Sequence, residues 1–430
     1  MKGQVTTARS LRVLYFIGSY SPDLMGNAGH EQAVLALRSR GHEVEVLTQI
    51  NEPGVGRYTR VHYSGVPVFR VNLAAAPGGN VAGVLRKAAG QVFKYEHTFT
   101  LLMAYRRHLA RHRYDLVHVE GAYPFGLVAA LASGSIPYLA NVQGADVIDL
   151  PENDYGYRRF RIPRAAVSLA LSRASLVRVN SPFMVGYLAK ERLAAADRIV
   201  MVPRVLEDSA FPTTGISLAR FRLDGRRVLL NKYGLGLPRP IVLSLSRLHP
   251  FKGLEYLIDA MPLVIAAQRK RNASPPWFVL CGPSRTTENY GDYRQFLQRR
   301  ADEAGVGSHL LFTGQVPHAE VPYHLAGADV VVSPSIIEAL HRVALEAAAV
   351  GTPSVVTETT GAASYLAPHD ACLPVPARSA QAIADAVIRL LDETQLYDRI
   401  RMNALEVAAT LRLESVAPQL EAVWERVASS

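Results

Sequence analysis

One stretch, residues 330–361, narrows the choice of fold more than any other part of this chain. Val330, Val331 and Val332 form a short β-branched run closed by Ser333 and Pro334, as suits a strand buried on both faces. From Val343 to Val350 nearly every residue is apolar or a good helix former, and Gly351 then stops the run. After Thr352 and Pro353 comes SerValValThr, a second strand of the same kind. A strand, helix, strand succession joins parallel strands by a crossover. The sheet is therefore parallel, and its ligands belong at the carboxyl ends of the strands.

The same grammar runs through the rest of the chain. An apolar strand at 11–18, a loop with Gly26 and Gly29, a helix at 30–40 and a strand from Val44 make one unit. Strands are also predicted at 114–120, 138–142, 173–182 and 199–204, then at 240–248, 277–283 and 310–318. Residues 207–215 read as a linker between the two series, and helices are predicted at 380–391 and 413–427. The class is α/β with two parallel-sheet domains, 1–206 and 207–410, and a final helical segment, 411–430. A chain of 430 residues is long enough for both cores.

Two carboxylates, Glu338 and Glu346, stand in the central stretch with seven residues between them. With a helix starting near Leu340, Glu338 lies in the loop before it and Glu346 about two turns, roughly 11 Å, inside. That is the span from sugar to ribose in a nucleotide sugar. The helix's first free N–H groups, around Leu340, His341, Arg342 and Val343, would then face a diphosphate, which the helix dipole also favours. Glu346 would accept from the ribose and Glu338 from the sugar. The alternative is an amphipathic helix carrying two solvated glutamates.

GluAlaLeuHisArgValAlaLeuGluAla, followed by ValGlyThrProSerValValThr, resembles the E-x7-E motif of family 4 of the retaining glycosyltransferases. Where that family usually has Gly-Phe-Gly or a similar triplet, this chain has Ala339, Leu340 and His341. Arg247 and Lys252, in Arg-Leu-x-x-x-Lys-Gly, resemble a second family motif whose two cations meet a departing diphosphate. Gly282 and Pro283, which end the strand at 277–283, are further substrate-binding candidates, and the resemblance extends to the first glycine loop, with Gly26 and Asn27 as substrate contacts. It also covers the segment around Val316, whose backbone meets the nucleotide base. The turn usually written His-Gly-x-Asp is here Gln143 to Asp146. Glutamine can hydrogen-bond but carries no proton at neutral pH, and Asp146 either orients an acceptor hydroxyl or stabilises the turn.

The resemblance implies the GT-B fold, two Rossmann-like domains whose parallel sheets face a central cleft, with the last helix returning to the first domain. It implies a nucleoside-diphosphate sugar on the second domain and an acceptor (a lipid-linked sugar, a polysaccharide or a small metabolite) on the first. Transfer would proceed with retention by a front-face route, with no cofactor and no metal, since Asp-x-Asp is absent from the sequence. The rival readings are an epimerase or phosphorylase on the same fold, or a sugar-nucleotide-binding protein without transferase activity.

Charge adds a further constraint. The net charge is +10, and residues 1–210 hold 25 basic residues against 16 acids, whereas the remainder is nearly balanced. Residues 53–114 alone contain ten basic residues and one acid, Glu96. Such a field draws anions, including the anionic surface of a membrane, although an ordinary solvated helix face is the plainer account. Nucleic acid is disfavoured because no aromatic stacking motif accompanies the charge. Two cysteines give no disulfide framework, and no run of eighteen apolar residues occurs. A cytoplasmic protein, peripheral to the membrane's inner face at most, is expected.

Overall fold

The computed structural model describes residues 10–21, 28–74, 80–236 and 239–430. Its first sheet has eight strands: β1 (Arg12–Phe16), β2 (Glu43–Ile50), β3 (Tyr58–Tyr63), β4 (Val66–Asn72), β5 (Leu116–Glu120), β6 (Tyr138–Asn141), β7 (Leu176–Val179) and β8 (Ile199–Met201). They lie in the order β3-β4-β2-β1-β5-β6-β7-β8, all parallel except β3, which runs antiparallel to β4 at the edge. After β9 (Ile241–Leu245) and β10 (Trp277–Cys281) come a two-residue hairpin, β11 (Thr286–Thr287) with β12 (Gly291–Asp292), then β13 (Leu310–Gly314), β14 (Val330–Ser333), β15 (Ser354–Thr357) and β16 (Leu373–Val375). The second sheet, β13-β10-β9-β14-β15-β16, is parallel throughout.

Helices cover both faces of each sheet, so the central strands are buried on both sides and need no polar alternation. Val330, Val331 and Val332 are at most 1% exposed, which is why the β-branched run could be read as a strand. Each such side chain contributes ~1.5–3 kcal/mol relative to remaining in water. In both sheets the chain builds outward in one direction and then restarts on the other side. The order reverses between β1 and β5 and again between β9 and β14, and these switch points are where an open α/β sheet leaves a crevice for a ligand.

Several elements differ from the sequence expectation. The helical part of the basic stretch 53–114 is two helices, Asn80–Phe93 and Thr98–Arg111. Lys94 takes a left-handed φ of +54° and breaks the run. The edge hairpin β3–β4 and the helices Leu218–Tyr233 and Thr394–Ala409 had no distinct signal. The helix expected to start near Leu340 starts at Arg342, because His341 has a φ of +61° and cannot belong to a right-handed helix.

The final helix, Leu413–Ala428, lies on the first sheet. Val416, Leu420, Trp424 and Val427 pack there with Leu11, Val13 and Tyr15, and Trp424 Nε1 donates to His118 Nδ1 at 2.9 Å. The two domains touch along the carboxyl edges of their sheets. Ser181 Oγ donates to the Ala339 carbonyl at 2.6 Å, Tyr365 OH donates to the Asn180 carbonyl at 2.9 Å, and Tyr155 stacks on Phe251 at 3.9 Å between centroids.

Candidate functional site

The second domain's switch point is assembled from loops that two glycines allow to approach. Gly253, with φ +63°, ends the turn Pro250–Lys252 and starts the helix Leu254–Lys270. A Cβ there would meet the Pro334 carbonyl oxygen at 2.2 Å. Gly282 has φ +144°, and its Cβ would lie 1.8 Å from the Ser246 oxygen. Only glycine fits either position. The Pro283 carbonyl accepts from Leu248 N at 2.9 Å. Gly282 and Pro283, expected to touch substrate, thus brace the loop that carries Arg247.

That loop places Lys252 against the loop after β14. Lys252 Nζ lies 2.7 Å from each carboxylate oxygen of Glu338. Ser335 Oγ donates to Glu338 Oε2 at 3.0 Å, and His341 Nδ1 stands 2.6 Å from the same oxygen. Burial alone would raise the Glu338 carboxyl, but Lys252 and His341 hold it well below the ordinary carboxylate range. Burial lowers the Lys252 ammonium, and Glu338 partly opposes that. Arg247 is exposed beside this pair and has no ion pair among the described residues.

The helix Arg342–Ala349 begins immediately after His341. Its first amides, at Arg342 and Val343, have no partner further along the helix. Leu340 and Val343 pack their side chains into apolar clusters, and Val316 is also buried. At these positions only the backbone can be offered to a ligand. Glu346 is the fifth residue of the helix, little more than one turn inside rather than two. Its Oε1 pairs with Arg342 Nε at 2.7 Å.

Arg342 reaches further. Its Nη1 meets Glu207 Oε1 at 2.9 Å, Glu207 Oε2 meets His318 Nε2 at 2.9 Å, and Gly29 N donates to Glu207 Oε1 at 3.2 Å. Burial would raise Glu207, yet His318 and Arg342 bring it down to about 2, and Glu207 in turn raises His318. The interdomain segment therefore carries a buried carboxylate that ties the first domain's initial helix to the carboxylate helix of the second. Sequence reasoning treated Glu207 only as the start of a linker. The Arg342–Glu346 spacing of four was legible; the long-range partner was not.

On the first domain, Asp146 accepts from Ala122 N at 2.7 Å and Gly144 N at 2.8 Å, and also from Gln143 N. Both its oxygens accept from the backbone, so it stabilises the turn. Gln143 Nε2 donates to Glu120, a residue without a sequence signal. Glu120 also accepts from Tyr15 OH and Asn141 Nδ2, each at 2.5 Å, and lies 3.1 Å from His118 Nε2. Burial is outweighed there by His30, His118 and Arg178, which keep the Glu120 carboxyl well below its usual range. Across the cleft, a Cβ on Gly144 would lie 3.2 Å from that of Ala339. Gly26 and Asn27 lie outside the described residues.

Residues 226–407 match the model of the "Glycosyl transferases group 1" family, and residues 29–204 match that of the "Glycosyl transferase 4-like domain". A GDP-mannose-dependent alpha-(1-6)-phosphatidylinositol monomannoside mannosyltransferase of Mycobacterium tuberculosis is 30% identical over 314 residues, 70% of this chain and 72% of that one. Among solved structures, sucrose-phosphate synthase from Thermosynechococcus elongatus superposes with a TM-score of 0.75 at 22% identity, covering 98% of this chain and 100% of that one. Anabaena Alr3699/HepE in complex with UDP and glucose gives 0.69 at 20% identity, covering 96% and 99%. These two likenesses establish a shared fold.

Proposed function

The chain belongs to family 4 of the glycosyltransferases, with the GT-B fold, and from that premise we propose that it moves a hexosyl group from a nucleoside-diphosphate sugar to an acceptor hydroxyl with retention at the anomeric carbon. The observation that carries this reading is the Lys252–Glu338 pair at the switch point of the second sheet, directly before the start of the helix Arg342–Ala349. Arg247, Lys252 and the amides of Arg342 and Val343 give positive groups where a leaving diphosphate gains charge. Glu338 accepts from hydroxyls of the transferred sugar and Glu346 from the ribose. The bond from the anomeric carbon to the leaving phosphate oxygen breaks while the acceptor oxygen bonds to the same face. The acceptor's proton passes to the leaving phosphate, so no enzymic nucleophile, metal or cofactor takes part.

The acceptor would sit on the first domain, near Gln143. One relative's name specifies a phosphatidylinositol monomannoside, and the positive first half of this chain suits an acceptor with phosphate at or near a membrane surface on the cytoplasmic side. No helix among the described residues is long and apolar enough to cross a membrane. The test is a panel of nucleotide sugars screened by thermal shift and by slow donor hydrolysis, followed by anomeric analysis of the product made from the best donor. A single stabilising donor and a product of unchanged anomeric configuration are expected. An inverted product would end the retaining reading.

A further inference from the structure

A cavity far from the Lys252–Glu338 pair lies at the outer edge of the first sheet. It occupies about 230 Å³ between the start of β3, the end of β4 and the helix Thr98–Arg111. From β4 to β6, the strand that leads into Gln143, is four strand steps, about 19 Å. Arg57, Arg107 and Arg111 line this cavity, all three are exposed, and none has an acidic partner among the described residues. Arg86, by contrast, pairs with Glu96, and Arg60 lies over the ring of Phe69. Three unopposed guanidiniums around one hollow favour an anion there, and their planar forks match phosphate oxygens.

The uncharged wall specifies more. Tyr114 OH donates to Glu45, so its oxygen accepts from His108 Nε2, which lies 2.7 Å away. Burial keeps His108 neutral, with its pKa down to about 3. A neutral imidazole that donates from Nε2 can only accept at Nδ1. Tyr58 OH, 2.6 Å from Nδ1, must therefore turn its proton inward. The Tyr58 oxygen is left to the cavity as an acceptor only, which suits a hydroxyl and repels a bare anion. Met103, half-exposed beside the arginines, and exposed Phe99 on the same helix leave apolar surface around the mouth.

We propose that this cavity binds the phosphate ester of a polyol, with Arg57, Arg107 and Arg111 on the phosphate and the Tyr58 oxygen accepting a neighbouring hydroxyl. The ester is either soluble or the headgroup of a lipid, and the site does not depend on the transfer reaction. The test titrates the full chain with glycerol 3-phosphate and, separately, sediments it with phosphatidylcholine vesicles with and without phosphatidylglycerol. The triple variant Arg57→Ala/Arg107→Ala/Arg111→Ala should weaken the binding by roughly a hundredfold, at about fivefold per basic residue, whereas Arg86→Ala/Lys87→Ala on the neighbouring helix should change it less than about twofold. Tyr58→Phe should weaken glycerol 3-phosphate without weakening inorganic phosphate. Binding to glycerol 3-phosphate alone assigns a soluble ester, and binding to the phosphatidylglycerol vesicles assigns a lipid headgroup. Binding to neither probe, binding that survives the triple variant, or equal losses in the Arg86/Lys87 control would overturn the proposal.

Discussion

At the scale of single residues, the site works by making each polar group's hydrogen-bonding direction unavoidable. Glu338 receives Lys252, Ser335 and His341 at once, so its oxygens are held in place before any substrate arrives. Removing the lysine would strip charge from the leaving group and leave a largely buried carboxylate short of its cation. Lys252→Met should therefore lower kcat by about 10²–10³, the usual effect of losing one electrostatic stabiliser, with a drop in Tm as well. Steady-state kinetics and a melting curve check both. Glu346→Ala should raise the donor's Kd while Glu338→Ala mainly lowers turnover; wild-type behaviour in both variants would refute the assignment. Gln143 follows the same logic. Glu120, kept ionised, can only accept, so the Gln143 amide must give it an N–H and turn its carbonyl toward the cleft. Gln143→Met removes that acceptor, and a fall of about tenfold in kcat/KM for the acceptor, at one lost hydrogen bond, with donor binding unchanged, is the expected split.

At the scale of elements, the short helix Arg342–Ala349 is positioned by a buried hub rather than by its own caps, since His341 supplies no side-chain cap. Glu207 joins Arg342, His318 and the amide of Gly29. Its stabilisation has a defined pH window. Glu207 falls from an ordinary 4.5 to about 2, so its share is present above 4.5 and is lost as pH drops toward 2. His318 is raised above 6.5, so its share is complete below 6.5 and fades as pH climbs past the raised value. The pair therefore acts fully between these two ordinary values. Comparing Tm for the wild type and His318→Asn across pH 4–9 should show the widest gap in that interval and a closing gap in alkali. A gap independent of pH would mean that His318 acts by packing alone.

At the scale of the whole molecule, one helix makes the two domains interdependent. Leu413–Ala428 follows the second domain in sequence but buries Trp424 against the first sheet. Trp424→Ala leaves a cavity beneath that sheet and strands His118 without its donor. A loss of about 3–5 kcal/mol is expected from large-to-small replacement in a core, and chemical denaturation monitored by circular dichroism would measure it. Closure of the domains, in turn, rests on small contacts along the two carboxyl edges, including the Tyr155–Phe251 stack and the Ser181–Ala339 hydrogen bond. Edge contacts of this size suit a cleft that opens and shuts around a substrate.

What the chain's order of residues determined by itself was everything with a short period. The Val330–Val332 and Ser354–Thr357 strands, the intervening helix, the two α/β series and the spacing of Glu338 and Glu346 were legible because burial on both faces of a parallel sheet demands unbroken β-branched runs. The edge hairpin β3–β4 was not, since the alternating exposure of β3 lacks that signal. Only the tertiary structure decided which charges meet: Lys252 with Glu338, Glu207 with Arg342 and His318, Glu120 with Gln143. It also showed the turn support that Asp146 gives, one of the two roles its sequence position left open. Those partners lie tens to more than a hundred residues apart, and no local periodicity records them. They meet because crossovers bring the ends of separate strands to one edge of a sheet, where electrostatics in a water-poor crevice then selects the pairs.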